Sequence, residues 1–113
     1  MQKIVYILVF STLLLLSNAA FSQSIYKVDY ESQADVKVFI VDYESQADLN
    51  VYEVDYESQA DEEGNWFFVD YESQADVKVF FVDYESQADL KIYFVDYESQ
   101  AGWKNNSKSH LLK

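Results

Sequence analysis

The octapeptide Val-Asp-Tyr-Glu-Ser-Gln-Ala-Asp begins at Val28, Val41, Val54, Val69 and Val82, and begins again at Val95, where Gly102 replaces the last Asp. An active site is normally singular. One surface copied six times is a structural unit, and units of this kind bury a shared core only by packing on one another. The starts lie 13 residues apart, except for one interval of 15 between Val54 and Val69. The extra residues fall within Glu62-Glu63-Gly64-Asn65.

Each unit has two halves. The first is extended: Val36-Lys37-Val38-Phe39-Ile40-Val41 is the clearest copy, and its β-branched and aromatic content is that of a strand. Alternation places Val36, Val38 and Ile40 on the core face, and Lys37, Phe39 and Val41 on a partly covered face. The second half, Tyr-Glu-Ser-Gln-Ala between aspartates, has no Gly or Pro. Two-residue hairpins need residues at positive φ, so a single helical turn is expected instead. Asp29 is placed to cap that turn. Tyr30 and Ala34, four apart, would lie on one face, with Tyr30 anchoring the turn to the sheet. Glu31 and Ser32 would face water, and Gln33 would bond a strand carbonyl.

A longer period overlies the short one. Residues 36–60 match residues 77–101 with four differences in 25 positions: Ile40/Phe81, Asn50/Lys91, Val51/Ile92 and Glu53/Phe94. The offset of 41 residues divides the repeats into two halves of three units with Gly64 at the join. A pseudo-twofold, all-β domain with short helical turns follows. The tail from Gly102 to Lys113 breaks the pattern and has no acid. Trp103 and Leu111-Leu112 read as plugs against the last strands, and the tail lysines as partners for the acidic turns.

Residues 1–22 read as a secretory leader: a basic start at Lys3, an apolar run from Ile4 to Leu16, then Ala20-Phe21-Ser22 with small residues where a signal peptidase reads. The run is shorter than the ~20 residues of a bilayer span. Cleavage after Ser22 leaves one domain, residues 23–113, exported to a periplasm or beyond the cell and no longer attached to a membrane. That domain keeps 7 Lys against 20 acids, a formal charge of −13. Such a surface repels nucleic acid and anionic lipid, and suits divalent cations or a basic partner. There is no Cys, so neither disulfides nor thiolate chemistry contribute. A monomer is expected.

The repeated Tyr-Glu-Ser-Gln-Ala-Asp turns, the stretch Val77 to Ala101 and the closing Ala101-Gly102-Trp103-Lys104 to Leu112 resemble the septoil knot domain family of bacteria, over about Ile25 to Leu112. The resemblance implies a small β-rich domain whose backbone forms a seven-crossing torus knot. It implies no catalytic residues, because the family carries no established activity. Without it, the repeats alone read as a β-solenoid.

No residue is singled out for catalysis, cofactor binding or metal ligation. Asp29, Glu31 and Asp35 recur with a spacing that suits calcium, yet the EF-hand pattern and the glycines of calcium-binding β-repeats are missing; capping and a solvated acidic rim account for them. His110, the only His, has no partner for general-base work, and one His cannot serve six repeated serines. Tyr30, Tyr43, Tyr56, Tyr71, Tyr84 and Tyr97 form either a sugar-binding set or, as their spacing to Ala favours, core anchors. The reading is therefore a non-enzymatic structural or binding domain of high kinetic stability. Its alternatives are a calcium- or carbohydrate-binding module and a secreted amyloid-like or adhesin repeat, the latter opposed by the net charge.

Overall fold

The fold is that of a computed structural model, and the structure describes residues 23–112. The expected leader, residues 1–22, lies outside them. Short strands alternate with one-turn 3-10 segments: β1 (Ser24–Lys27), β2 (Val36–Ile40), β3 (Leu49–Glu53), β4 (Asn65–Phe68), β5 (Val77–Phe81), β6 (Leu90–Phe94) and the two-residue β7 (Gly102–Trp103). Each Glu-Ser-Gln forms the 3-10 turn, and no described non-glycine residue has positive φ. The expected helical turn is present and tight hairpins are not.

The strands follow the order β4-β1-β5-β2-β6-β3, and β3 pairs back onto β4, closing a six-stranded parallel barrel. β7 adds to β3 antiparallel. The solenoid alternative is thereby corrected. In a solenoid, consecutive units stack; here β1 pairs with β4 and β5, β2 with β5 and β6, and β3 with β6 and β4. The cause is the length of the octapeptide. It carries the chain sideways by two strand spacings, roughly 10 Å, and so leaves a gap one strand wide. The second half of the sequence fills the gaps left by the first, which is how the 41-residue repeat is expressed in space.

Equivalent positions climb two residues from each strand to the next: Ile25 lies opposite Val77, and Val79 opposite Val36. Six such steps give a shear of twelve residues. On ideal strand spacings this is a tilt of about 54°, steeper than is usual for barrels. Because the climb per strand matches the closure of the barrel, equivalent residues of all six strands share one height. The interior is therefore built in layers of six. The middle layer, Ile25, Val38, Val51, Trp66, Val79 and Ile92, is fully buried throughout, with 0% exposure at every position. Val36, Leu49, Val77 and Leu90 form most of the layer toward the strand starts, and all are buried.

The third layer sits at the other mouth. In ring order it reads Phe68, Lys27, Phe81, Ile40, Phe94, Glu53, so the two halves alternate. No further layer covers it. This corrects the expectation for Ile40, which faces the axis but is 46% exposed. Val41, expected on the outer face, is buried instead. It has left the ladder and donates its N–H to the Ile92 carbonyl of the strand it is about to cross. The opposite end is closed by the tail, as expected. Lys104 and Asn105 donate N–H bonds to the Asp48 carbonyl, and the 3-10 helix Asn106–Leu112 carries Leu112 into the core, with Trp103 and Leu111 packed beside it.

Candidate binding surface

Each octapeptide arches over one strand. The arch 28–35 crosses β5: Val28 N–H donates to the Val79 carbonyl on one side, and Asp35 N–H to the Lys78 carbonyl on the other. Successive carbonyls of a strand point to opposite neighbours, so these two bonds lie on opposite flanks of β5. Arches 41–48, 69–76 and 82–89 cross β6, β1 and β2 in the same way. In arches 54–61 and 95–102 the leading Val bonds Trp66 of β4 and Val51 of β3. Every strand of the barrel thus carries one arch, and the six middle-layer carbonyls all accept from a leading Val.

The three acids of an arch have three fates. The eighth-position Asp fastens the strand beneath it. Its carboxylate accepts the strand N–H whose own carbonyl receives the Asp N–H: Asp35 with Lys78 (2.9 Å), Asp48 with Lys91 (2.9 Å), Asp76 with Ser24 (3.0 Å) and Asp89 with Lys37 (3.0 Å). Two arches lack this clasp, because Gly102 replaces one Asp and the 15-residue interval diverts Asp61. In those two places the strand supplies the bond itself. Asn50 Nδ2 donates to the Gln100 carbonyl and Asn65 Nδ2 to the Gln59 carbonyl, each reaching the arch overhead.

The Glu of each arch reaches the next strand in the ring. Glu31, Glu72 and Glu85 pair with Lys37, Lys78 and Lys91 at 3.4, 3.2 and 3.4 Å. Glu44 accepts from Asn50 (2.7 Å), Glu57 from Ser24 (3.5 Å) and Glu98 from Asn65 (2.8 Å). These six contacts close a circle around the barrel.

The second-position Asp does neither. Asp29, Asp42, Asp55, Asp70, Asp83 and Asp96 are exposed, and no ion pair or side-chain hydrogen bond joins them to another described residue. The expected capping by Asp29 is corrected: Tyr30 occupies the cap position in extended conformation, and no side chain caps the turn. Since one acid clasps a strand and another spans to its neighbour, the three do not converge, and among the described residues no group of acids is arranged to hold a metal ion. His110 is exposed on the tail, with Nδ1 at 3.1 Å from the Ser107 carbonyl.

The tyrosines overturn the anchoring expectation. Tyr30, Tyr43, Tyr56, Tyr71, Tyr84 and Tyr97 are each 68–69% exposed. The turn is tethered by its backbone and its acids, so the ring is not needed underneath. A 3-10 turn also differs from the α-helical geometry assumed for the Tyr/Ala pair: with three residues per turn, positions four apart no longer stack. The outcome is six phenols at one height around the barrel, in the order Tyr56, Tyr71, Tyr30, Tyr84, Tyr43, Tyr97.

A family model described as the 7(1) septoil knot domain matches residues 22–104. No curated protein and no solved structure matches the chain.

Proposed function

The chain belongs to the septoil knot domain family, and from that premise we propose that it is an exported, non-enzymatic domain: a kinetically stable scaffold that displays six copies of one binding face. The observation that carries the reading is the tyrosine ring. Large aromatics that contribute nothing to the core, repeated at one exposure six times, are a surface feature of the kind enriched at interfaces. The scaffold suits the role. Its strands have no long free edge, and each is held down by an arch, which for every strand but β4 belongs to a distant part of the chain. The path runs twice round the barrel and passes over a strand at each step, which supports reading the family's knot into this chain. Unfolding then requires unthreading, so persistence outside the cell would rest on a slow unfolding rate.

The test has two parts. The mass of the protein recovered from the periplasm or medium should lack residues 1–22, and recovery of the intact chain in the cytoplasm would overturn export. Substrate panels of glycosides and esters should show no turnover; turnover lost on acid-to-amide substitution would overturn the non-enzymatic reading. A carbohydrate-binding module is the second reading, favoured by the same exposed phenols, which are positioned to stack on sugar rings.

A further inference from the structure

We propose that the tyrosine ring is a docking surface for a polycation, a lysine- or arginine-rich chain laid around the girth of the barrel. This rests on the display reading above and names the chemistry of the partner. The aromatic component comes first. Each tyrosine is about two-thirds exposed and leaves the backbone at an equivalent point, because Tyr30 and its equivalents hold nearly one backbone conformation, with φ between −126° and −133° at all six positions. A face-exposed phenol attracts ammonium and guanidinium groups through its quadrupole.

The charge component is independent of the rings. On every arch the acid preceding the tyrosine is left without a partner among the described residues, whereas, apart from Asp61, the other acids of the arches are committed to the clasps and the circle of Glu contacts. The formal charge of the chain is −12, so an anionic partner is repelled and a cationic one is drawn in. A neutral sugar would use the rings and could donate hydroxyl hydrogen bonds to the aspartates, but the net charge would not draw it in. Neighbouring arches stand roughly 8 Å apart at the radius of the strands, and further apart at the tyrosines. That is within the reach of successive side chains on one extended polymer, so binding at one arch raises the effective concentration at the next.

The experiment is a calorimetric titration of the full protein with decalysine in about 150 mM salt, set beside a neutral chitin oligosaccharide. The variants are Tyr43→Ala, the sixfold Tyr→Ala and the sixfold Tyr→Phe. All three keep the net charge, and thermal unfolding confirms that they fold. Tyr43→Ala should weaken decalysine about two- to fivefold. The sixfold Tyr→Ala should weaken it by more than about 30-fold, and the sixfold Tyr→Phe, which keeps the aromatic faces, by less than about threefold. Unchanged affinity in the sixfold Tyr→Ala variant would mean that charge alone binds the polymer, and would overturn the proposal. So would no binding of decalysine by the wild type. If the oligosaccharide binds and loses affinity with the tyrosines while decalysine does not, the polycation is overturned and the display reading stands. If neither ligand depends on the tyrosines, both fall.

Discussion

Asp35 and Asp48 occupy the same place in the repeat and make the same backbone clasp, yet their replacement by Ala should differ in cost by about 2 kcal/mol. Asp35 fastens Lys78 N–H at the surface, where water replaces the lost acceptor; the loss is about 0.5–1 kcal/mol. Asp48 is only 5% exposed. Its carboxylate accepts from Lys91 N–H at 2.9 Å and Asn105 Nδ2 at 3.4 Å, and lies 3.7 Å from Lys108 Nζ. Truncation leaves a part-buried strand N–H without an acceptor and releases two tethers of the tail that plugs the barrel, for about 2–4 kcal/mol. The assay is urea unfolding at equilibrium, with incubation extended until unfolding and refolding curves coincide. With a slope of about 1–2 kcal/mol/M, Asp48→Ala should lower the midpoint by about 1–4 M and Asp35→Ala by no more than about 1 M. Equal shifts, or the larger shift at Asp35, would refute the claim that the tail is what distinguishes the two clasps.

Gly64→Ala should be the costlier of the two glycine substitutions. With φ at +87°, an added Cβ would lie 2.6 Å from the Gly102 nitrogen and 2.7 Å from the Asn50 carbonyl oxygen, so left-handed strain and overpacking combine to about 2–5 kcal/mol. Gly102→Ala meets no atom within 4 Å and bears only the strain of φ +137°, about 1–3 kcal/mol; the order is read from denaturation midpoints. Trp66→Ala, which empties the largest site of the middle layer, should cost about 3–5 kcal/mol, measured in the same way. Millimolar calcium against EDTA should leave the thermal midpoint unchanged, since the acids of an arch do not converge; a rise of several degrees would mean that the folded state binds the ion.

Much of this architecture was legible in the octapeptide, and the failures have specific causes. Strand composition and the absence of Gly and Pro led to the strands and the helical turns. The match of residues 36–60 to 77–101 led to the two halves. What could not be read was that the halves interleave, because the destination of an arch depends on its span against the strand spacing and not on local propensity. The tyrosines were misassigned for a related reason. Their spacing to Ala presumed an α-helical turn that packs on a sheet, whereas the backbone bonds from Val and Asp already fasten a 3-10 turn. Asn50 and Asn65 were a missed signal. They stand where Lys or Ser occupies the other strands, and the arches over those two strands are the ones without a clasping Asp.

The near-identity of the six units has a geometric cause. With a climb of two residues per strand and six strands, every unit occupies the same height and the same surroundings, so one solution serves all of them: Val to the middle carbonyl, Asp to the strand N–H, Glu to the next strand. Departures are expected where that equivalence fails. One such place is the change of lap, where 13-residue steps would bring the fourth strand onto ground already held by β1. The chain instead passes over β4 as far as Gln23, whose N–H donates to the Ala60 carbonyl, then doubles back through the extra residues and Gly64 to enter β4 beneath its own arch. The close approach of Gly64 to Gly102 and Asn50 joins this crossing to the end of the second lap. The irregular residues Gly64, Asn65, Asn50 and Gly102 therefore belong to one seam, and a barrel that wound only once around its axis would have no need of it.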